Sequence, residues 1–262
     1  MHYCVSDIHG DIDAFHKILK KINFSDDDEL YILGDILDRG KDGINIFLEI
    51  LDMPNVHLIK GNHEALLEEY NWLRATEDRY LPVFLKYSWD PNGGEVTREA
   101  FEELRYKDIA KAKKILERIH DAKYEIKLNI NNQNYILRHN LGVEEYNLAR
   151  DLKLVDNGIL PEDFIIWDRK MLFTVDYPND IVIFGHTPVS LLYESLEKSP
   201  FRLPNDLFFK LRKYSTDDKL TIFSYNNQYC IDCGAVFSYY NDKRFRLACL
   251  RLEDMKEFYS NE

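Results

Sequence analysis

Apolar positions along the chain follow two rhythms. Phe15, Ile18, Leu19 and Ile22 recur at helical spacing, and so do Ile44, Phe47, Leu48 and Leu51. Around and between them lie short apolar runs suited to buried strands: Tyr3–Ser6, Leu30–Leu33 and Val56–Ile59. The order strand, helix, strand, helix, strand predicts an α/β fold. From Glu64 to about Lys123 the rhythm turns mostly helical. Phe101, Leu104, Ile109, Ala112, Leu116 and Ile119 mark a long helical stretch, broken near Tyr106–Asp108, with Lys111, Lys113 and Lys114 on its solvated face. Strand signals return at Tyr124–Ile130, Asn134–Arg138, Asp180–Phe184, Gln228–Ile231 and Arg246–Leu252. The Asn-rich stretch Asn131–Asn134 reads as a hairpin turn. No internal repeat, low-complexity segment or clear linker interrupts the pattern.

Composition narrows the classes without changing that picture. The 262 residues are 45% hydrophobic and 31% charged, enough apolar material for a sizeable core. The formal net charge of -12 favours solubility and opposes a polyanionic partner, so no nucleic-acid partner is expected. No apolar run approaches a membrane span, and Met1–Gly10 runs into a strand and a motif without a charged and apolar leader. Four cysteines, Cys4, Cys230, Cys233 and Cys249, do not form a disulfide framework in a chain of this length. These features predict a reduced, cytoplasmic protein with no membrane partner.

Candidate chemistry comes from five polar clusters that each follow an apolar run. They are Ser6-Asp7-Ile8-His9-Gly10, Gly34-Asp35-Ile36-Leu37-Asp38-Arg39-Gly40, Gly61-Asn62-His63-Glu64, His139-Asn140 and Gly185-His186-Thr187-Pro188. In open α/β sheets, groups beyond the carboxyl ends of strands converge on one crevice. Asp7, His9, Asp35, Asn62, His139 and His186 are therefore able to meet although far apart in sequence. Oxygen and imidazole donors suit manganese, iron, zinc or nickel, and the clusters contain no thiolate. Two divalent ions repel, so a pair needs an anion between them, and a carboxylate has two oxygens to offer. Each cluster alone has a plain alternative, a turn or a helix cap with Asn62 near the start of the following helix. Their joint occurrence, each after a strand, predicts a two-metal site.

At these residues the chain resembles the calcineurin-like metallophosphoesterases, and within them the phosphoprotein phosphatase branch with its bacterial and phage serine/threonine phosphatases. The resemblance runs from Met1 to about Phe237 and is weakest between Val189 and Gln228. The marks of the branch are Arg39 after Asp38, Glu64 closing the Asn-His cluster, and Thr187-Pro188 after Gly185-His186. Trp167-Asp168-Arg169 and Ile231-Asp232-Cys233-Gly234-Ala235 match two further elements of the branch. The resemblance implies a four-layer α/β/β/α sandwich formed by residues 1–262 as one catalytic domain. A helical insertion over about 65–123 follows Gly-Asn-His-Glu, and a variable lobe covers about 189–228. It implies that Asp7, His9 and Asp35 hold one metal and that Asp35, Asn62, His139 and His186 hold a second. His63 would be the general acid, oriented by Asp38, while Arg39 and Arg169 grip the phosphoryl oxygens. The ions would be two divalent or trivalent metals, manganese first and iron, zinc or nickel as alternatives. The family usually reads His-Ala-Gly where this chain has His139-Asn140-Leu141-Gly142.

The expected activity is hydrolysis of phosphate monoesters by a metal-bridging hydroxide, with a phosphorylated protein as substrate. Dinucleoside polyphosphates or other small phosphoanhydrides are the alternative substrates. A fold retained for binding without turnover and a nuclease are two further readings. Three smaller signals have plain explanations: Cys230 and Cys233 as small buried side chains, Asn92-Gly93-Gly94 as a turn, and the basic residues Arg202, Lys210, Arg212 and Lys213 as a surface segment. The sharper alternatives are a redox or zinc site for Cys230 and Cys233, a loop reaching the site for Asn92–Gly94 and a substrate-facing lobe for the basic cluster.

Overall fold

The computed structural model describes residues 1–262 except 157, 202, 203, 215–219, 241, 243 and 262. Its strands are β1 (His2–Val5), β2 (Glu29–Ile32), β3 (Val56–Leu58), β4 (Glu125–Ile130), β5 (Gln133–Arg138), β6 (Asp180–Phe184), β7 (Phe223–Tyr225), β8 (Gln228–Cys230), β9 (Ala248–Arg251) and β10 (Lys256–Tyr259). They form two mixed five-stranded sheets, ordered β10-β9-β1-β2-β3 and β4-β5-β6-β8-β7. Strands β1, β2 and β3 run parallel in the first sheet, and β5, β6 and β8 run parallel in the second. The helices are α1 (Ile12–Ile22), α2 (Gly43–Ile50), α3 (Asn62–Ala75), α4 (Leu81–Phe84), α5 (Glu95–Lys107), α6 (Ile109–His120), α7 (Val143–Asp151), α8 (Pro161–Trp167), α9 (Leu192–Glu197) and α10 (Asn205–Tyr214).

Period-2 alternation explains the layers. On one face of the first sheet, Tyr3, Val5, Leu30, Ile32 and Cys249 pack with Phe15 and Ile18 of α1 and Phe47 of α2. On the other face, Cys4, Tyr31, Leu33, Ala248 and Leu250 join the core formed with Leu137, Ile183 and Phe184 of the second sheet. That core also takes in Ala149, Phe164, Leu192 and Leu207 from the helices that follow β5 and β6. With both faces of the first sheet covered, its strands read as near-continuous apolar runs.

Local signals fall where the sequence puts them. Asp108 ends α5 and caps α6, its side chain accepting from the Lys111 amide, which is the expected break near 106–108. Asn131 and Asn132 both adopt positive φ (52° and 64°) in a two-residue turn between β4 and β5, the conformation asparagine tolerates best after glycine. Lys111, Lys113 and Lys114 are exposed. Strands β7 and β10 are the two that the apolar pattern does not announce. Among the described residues no helix is long and apolar enough to cross a membrane.

Candidate metal centre

The parallel strands of both sheets end at one crevice, and five polar loops leave them there. Asp7 and His9 follow β1, Asp35 to Arg39 follow β2, Asn62 and His63 follow β3, His139 follows β5, and His186 follows β6. The loops turn sharply to aim these side chains. Asp7, His9, Asp35, Asp38, Arg39 and His186 all have positive φ, between 47° and 69°. Left-handed backbone at non-glycine residues costs roughly 1–3 kcal/mol each and persists where the surroundings enforce it. Two glycines admit the carboxylates: a Cβ on Gly61 would lie 2.3 Å from Asp35 Oδ1, and one on Gly185 would lie 2.1 Å from Asp7 Oδ2.

Asp35 is central. Its Oδ1 accepts from the His63 amide at 3.1 Å, in the first turn of α3, where the helix dipole favours an anion. His139 Nε2 lies 3.5 Å from Oδ1, and His9 Nε2 and His63 Nε2 lie 3.8 and 3.7 Å from Oδ2. Two clusters of candidate metal ligands share this carboxylate: His9, Asp35 and His63, and Asp35, His139 and His186. Asn62 joins the second, its Oδ1 3.0 Å from His139 Nε2. Asp7 stands beside the clusters, its carboxylate accepting from the His186 amide at 2.9 and 3.1 Å. Asn62 is also the first residue of α3, so it both starts a helix and faces the site.

The donor set fits a cation. Nδ1 of His139 donates to the Leu33 carbonyl at 2.7 Å, and Nδ1 of His9 donates to the Leu37 carbonyl at 2.8 Å. A carbonyl only accepts, so each ring carries its proton on Nδ1 and turns the Nε2 lone pair inward. His139 Nε2 and Asn62 Oδ1 then face each other at hydrogen-bond distance as two acceptors without a proton between them, an arrangement a positive ion resolves. The electrostatics agree. Burial, followed by the charges of Asp7 and Glu64, holds the Asp35 carboxyl well above its ordinary range. Burial also raises Asp7 and keeps His9, His139 and His186 neutral.

Beside the clusters, His63 Nδ1 pairs with Asp38 Oδ2 at 2.6 Å, and burial pushes the Asp38 carboxyl up to about 7. Arg39 reaches His9 Nε2 at 2.9 Å and His63 Nε2 at 3.3 Å. Arg169 donates to the His186 carbonyl at 3.4 Å, and Arg39, Arg169 and His186 line one cavity of about 510 Å³. Asn140, which stands where the family has alanine, donates through Nδ2 to the Asp168 carbonyl at 2.6 Å and so ties the loop after β5 to the turn carrying Arg169.

Sequence reasoning missed several supporting residues. Glu64, noted only as a mark of the branch, is fully buried and accepts from the amides of Asp35, Ile36 and Gly61, fixing the loop that carries Asp35. Trp89 and Thr97 of the helical region bond to Asp38. Buried Asp232 faces Asp7, and burial followed by that charge raises its carboxyl. Asn92–Gly94 does reach the site region, since the Gly93 carbonyl accepts from the Arg39 amide at 3.0 Å. All four cysteines are free and buried. Of the basic cluster, Arg202 lies outside the described residues, while Lys210 turns to the Ser224 carbonyl and the Phe223 ring.

Comparison with known proteins shows a phosphoesterase family and phosphatase relatives. A family model, "Calcineurin-like phosphoesterase", matches residues 3–190. Serine/threonine-protein phosphatase 2 of Salmonella typhimurium is 26% identical over 194 residues, covering 70% of this chain and 78% of that protein. A symmetrical bis(5'-nucleosyl)-tetraphosphatase of Acidovorax sp. is 41% identical over 67 residues, 25% of this chain and 24% of its own length. A solved structure of a proposed diadenosine tetraphosphatase has a TM-score of 0.55 at 13% identity, covering 98% of this chain and 91% of that one, a likeness of fold.

Proposed function

The chain belongs to the calcineurin-like phosphoesterase family, and from that premise we propose that it dephosphorylates phosphoserine and phosphothreonine in proteins. It is a metal-dependent phosphatase. The observation that carries the finer reading is the pair Arg39 and Arg169 lining one cavity beside His63 and His186. A phosphoryl group there meets two planar, permanently charged guanidiniums that match its oxygens. In this reading Asp7, His9 and Asp35 would hold one divalent ion and Asp35, Asn62, His139 and His186 another, manganese first and iron, zinc or nickel as alternatives. Bound ions supply Lewis acidity and lower the pKa of water. Arg39 and Arg169 orient the ester, and His63, paired with Asp38, delivers a proton to the departing oxygen.

Two features support a protein substrate. The sequence likeness to a serine/threonine phosphatase spans 70% of the chain, whereas the 41% sequence identity to a tetraphosphatase spans a quarter of it. A second cavity of about 400 Å³ shares Arg169 and Leu191 with the first and is lined also by Trp167, Lys170, Glu194 and Lys198, room for residues flanking a phosphoserine. The variable lobe therefore borders the groove through Leu191–Lys198, and the α10 cluster is not among the lining residues. Reversing the charge of Lys170 and Lys198 together is expected to raise KM for an acidic phosphopeptide several-fold and leave kcat nearly unchanged, as when binding common to ground and transition states is lost. Steady-state kinetics on peptides with acidic and neutral flanks checks this.

The alternative, hydrolysis of dinucleoside polyphosphates, draws on the local 41% identity and on Trp167, which is 39% exposed at the groove and offers a face on which a base stacks. A panel of phosphopeptide, diadenosine tetraphosphate and single-stranded DNA, run with manganese and with metal analysis of the purified protein, separates the two. The phosphopeptide is expected to give the highest kcat/KM, and a preference for the tetraphosphate overturns the reading.

A further inference from the structure

Asp38 Oδ2 has two donors. One is His63 Nδ1 at 2.6 Å, and the other is Trp89 Nε1 at 2.9 Å, from a residue 51 positions away. Trp89 is fully buried, with ring centroids 4.9 Å from Tyr70 and 6.1 Å from Phe84. Its indole lies so close to Gly94 that a Cβ there would come within 2.1 Å of the ring. The same segment holds the Asp38–Arg39 turn twice more. Thr97 Oγ1 accepts from the Asp38 amide at 2.8 Å, and the Gly93 carbonyl accepts from the Arg39 amide at 3.0 Å. Asp38 and Arg39 are consecutive non-glycine residues at φ 68° and 69°, a conformation that needs such support.

A buried tryptophan is ordinarily core, and its N–H seeks any acceptor. Here the acceptor is the very oxygen that faces His63. A carboxylate with one donor still rotates about its Cβ–Cγ bond and trades oxygens. Two donors converging on one oxygen from different elements fix both the rotation and the choice of oxygen. We propose that Trp89 is a positioning residue for leaving-group protonation, its indole N–H locking Asp38 Oδ2 onto His63 Nδ1. The helical region between α3 and β4 thereby takes part in the reaction through a side chain that never touches substrate. This rests on His63 acting as the acid.

The test removes the N–H, once together with part of the ring and once with the ring shape kept. Trp89→Phe, and separately an isosteric benzothienylalanine at position 89 that keeps the ring shape, are assayed on a phosphoserine peptide and on nitrophenyl phosphate. Both variants are expected to lose kcat on the peptide by roughly 10-fold, the scale of a hydrogen bond to a charged group, and to stay within about twofold on the aryl ester, which needs no proton. In an Asp38→Ala background Trp89→Phe should add no further loss, because the group it positions is gone. Equal losses on both substrates, or an additional loss in the Asp38→Ala background, assign Trp89 to packing alone and overturn the proposal. His63→Gln run alongside separates the two levels: if it is selective for the peptide while both Trp89 variants are not, this inference fails and the acid assignment stands.

Discussion

Asp35→Asn is expected to lose at least about 10²-fold in kcat, since outer ligand partners alone typically cost 10–100-fold, and to purify with fewer than two metal ions per chain. The substitution is nearly isosteric. The asparagine Oδ1 still accepts from the His63 amide, so the start of α3 keeps its partner. What disappears is the negative charge toward which the His9, His63 and His139 rings converge. Without ions that charge is a burden, because burial, Asp7 and Glu64 all oppose it. The variant should therefore melt in chelator at or above the temperature of the parent. Added manganese should raise the melting temperature of the parent, by mass action on the folded state, and that of the variant much less. Metal analysis and melting curves thus read the site independently of turnover. Two bound ions with full turnover in Asp35→Asn would show that this carboxylate does not hold them.

The residues around Asp35 also show what the sequence makes legible. The ligand candidates stand out because each is polar and follows a run of buried side chains, where a polar group without a task is costly. Their convergence follows from the parallel strand order, since β1, β2, β3, β5 and β6 all end on one side. The break at Asp108 and the turn at Asn131–Asn132 are local and were readable for that reason. Long-range partners were not. Trp89 at the end of a helical run reads as core, and its bond to Asp38 closes only when the region after α3 folds back on the loop after β2. Glu64 reads as a helix-start acid, yet its three amide partners include two on a loop nearly thirty residues earlier. Strand β10 is only four residues long and exposed at Lys256 and Glu257, so apolar rhythm alone does not mark it. The basic cluster of α10 drew attention by composition, whereas the lysines at the groove, Lys170 and Lys198, sit in segments with no basic run.

His63→Gln is expected to separate substrates by leaving group. Expulsion of a serine oxygen requires a proton in the transition state, because an alkoxide is a very poor leaving group. Nitrophenolate is stable as an anion and needs little help. A positioned acid contributes typically ~10²–10⁴-fold, so that loss should appear on phosphoserine peptides and be much smaller on nitrophenyl phosphate. The imidazole is built for the task on one side, where Nδ1 holds Asp38 at 2.6 Å and leaves Nε2 beside the Arg39 guanidinium, which lines the cavity. On the other side, burial and then the Arg39 charge hold the ring neutral. A phosphate dianion between Arg39 and Arg169 offsets the two guanidinium charges that lower His63, and a proton shared with Asp38 then favours an imidazolium over a protonated carboxyl, so the acid forms where the substrate sits. Asp38→Asn should give the same selectivity in weaker form, because it removes the charge support and leaves the ring. His186→Ala should depress both substrates alike, since it strips a candidate ligand and not the proton donor. Equal slowing of both esters in His63→Gln, with both ions retained, would leave the proton to another group and withdraw the role from His63.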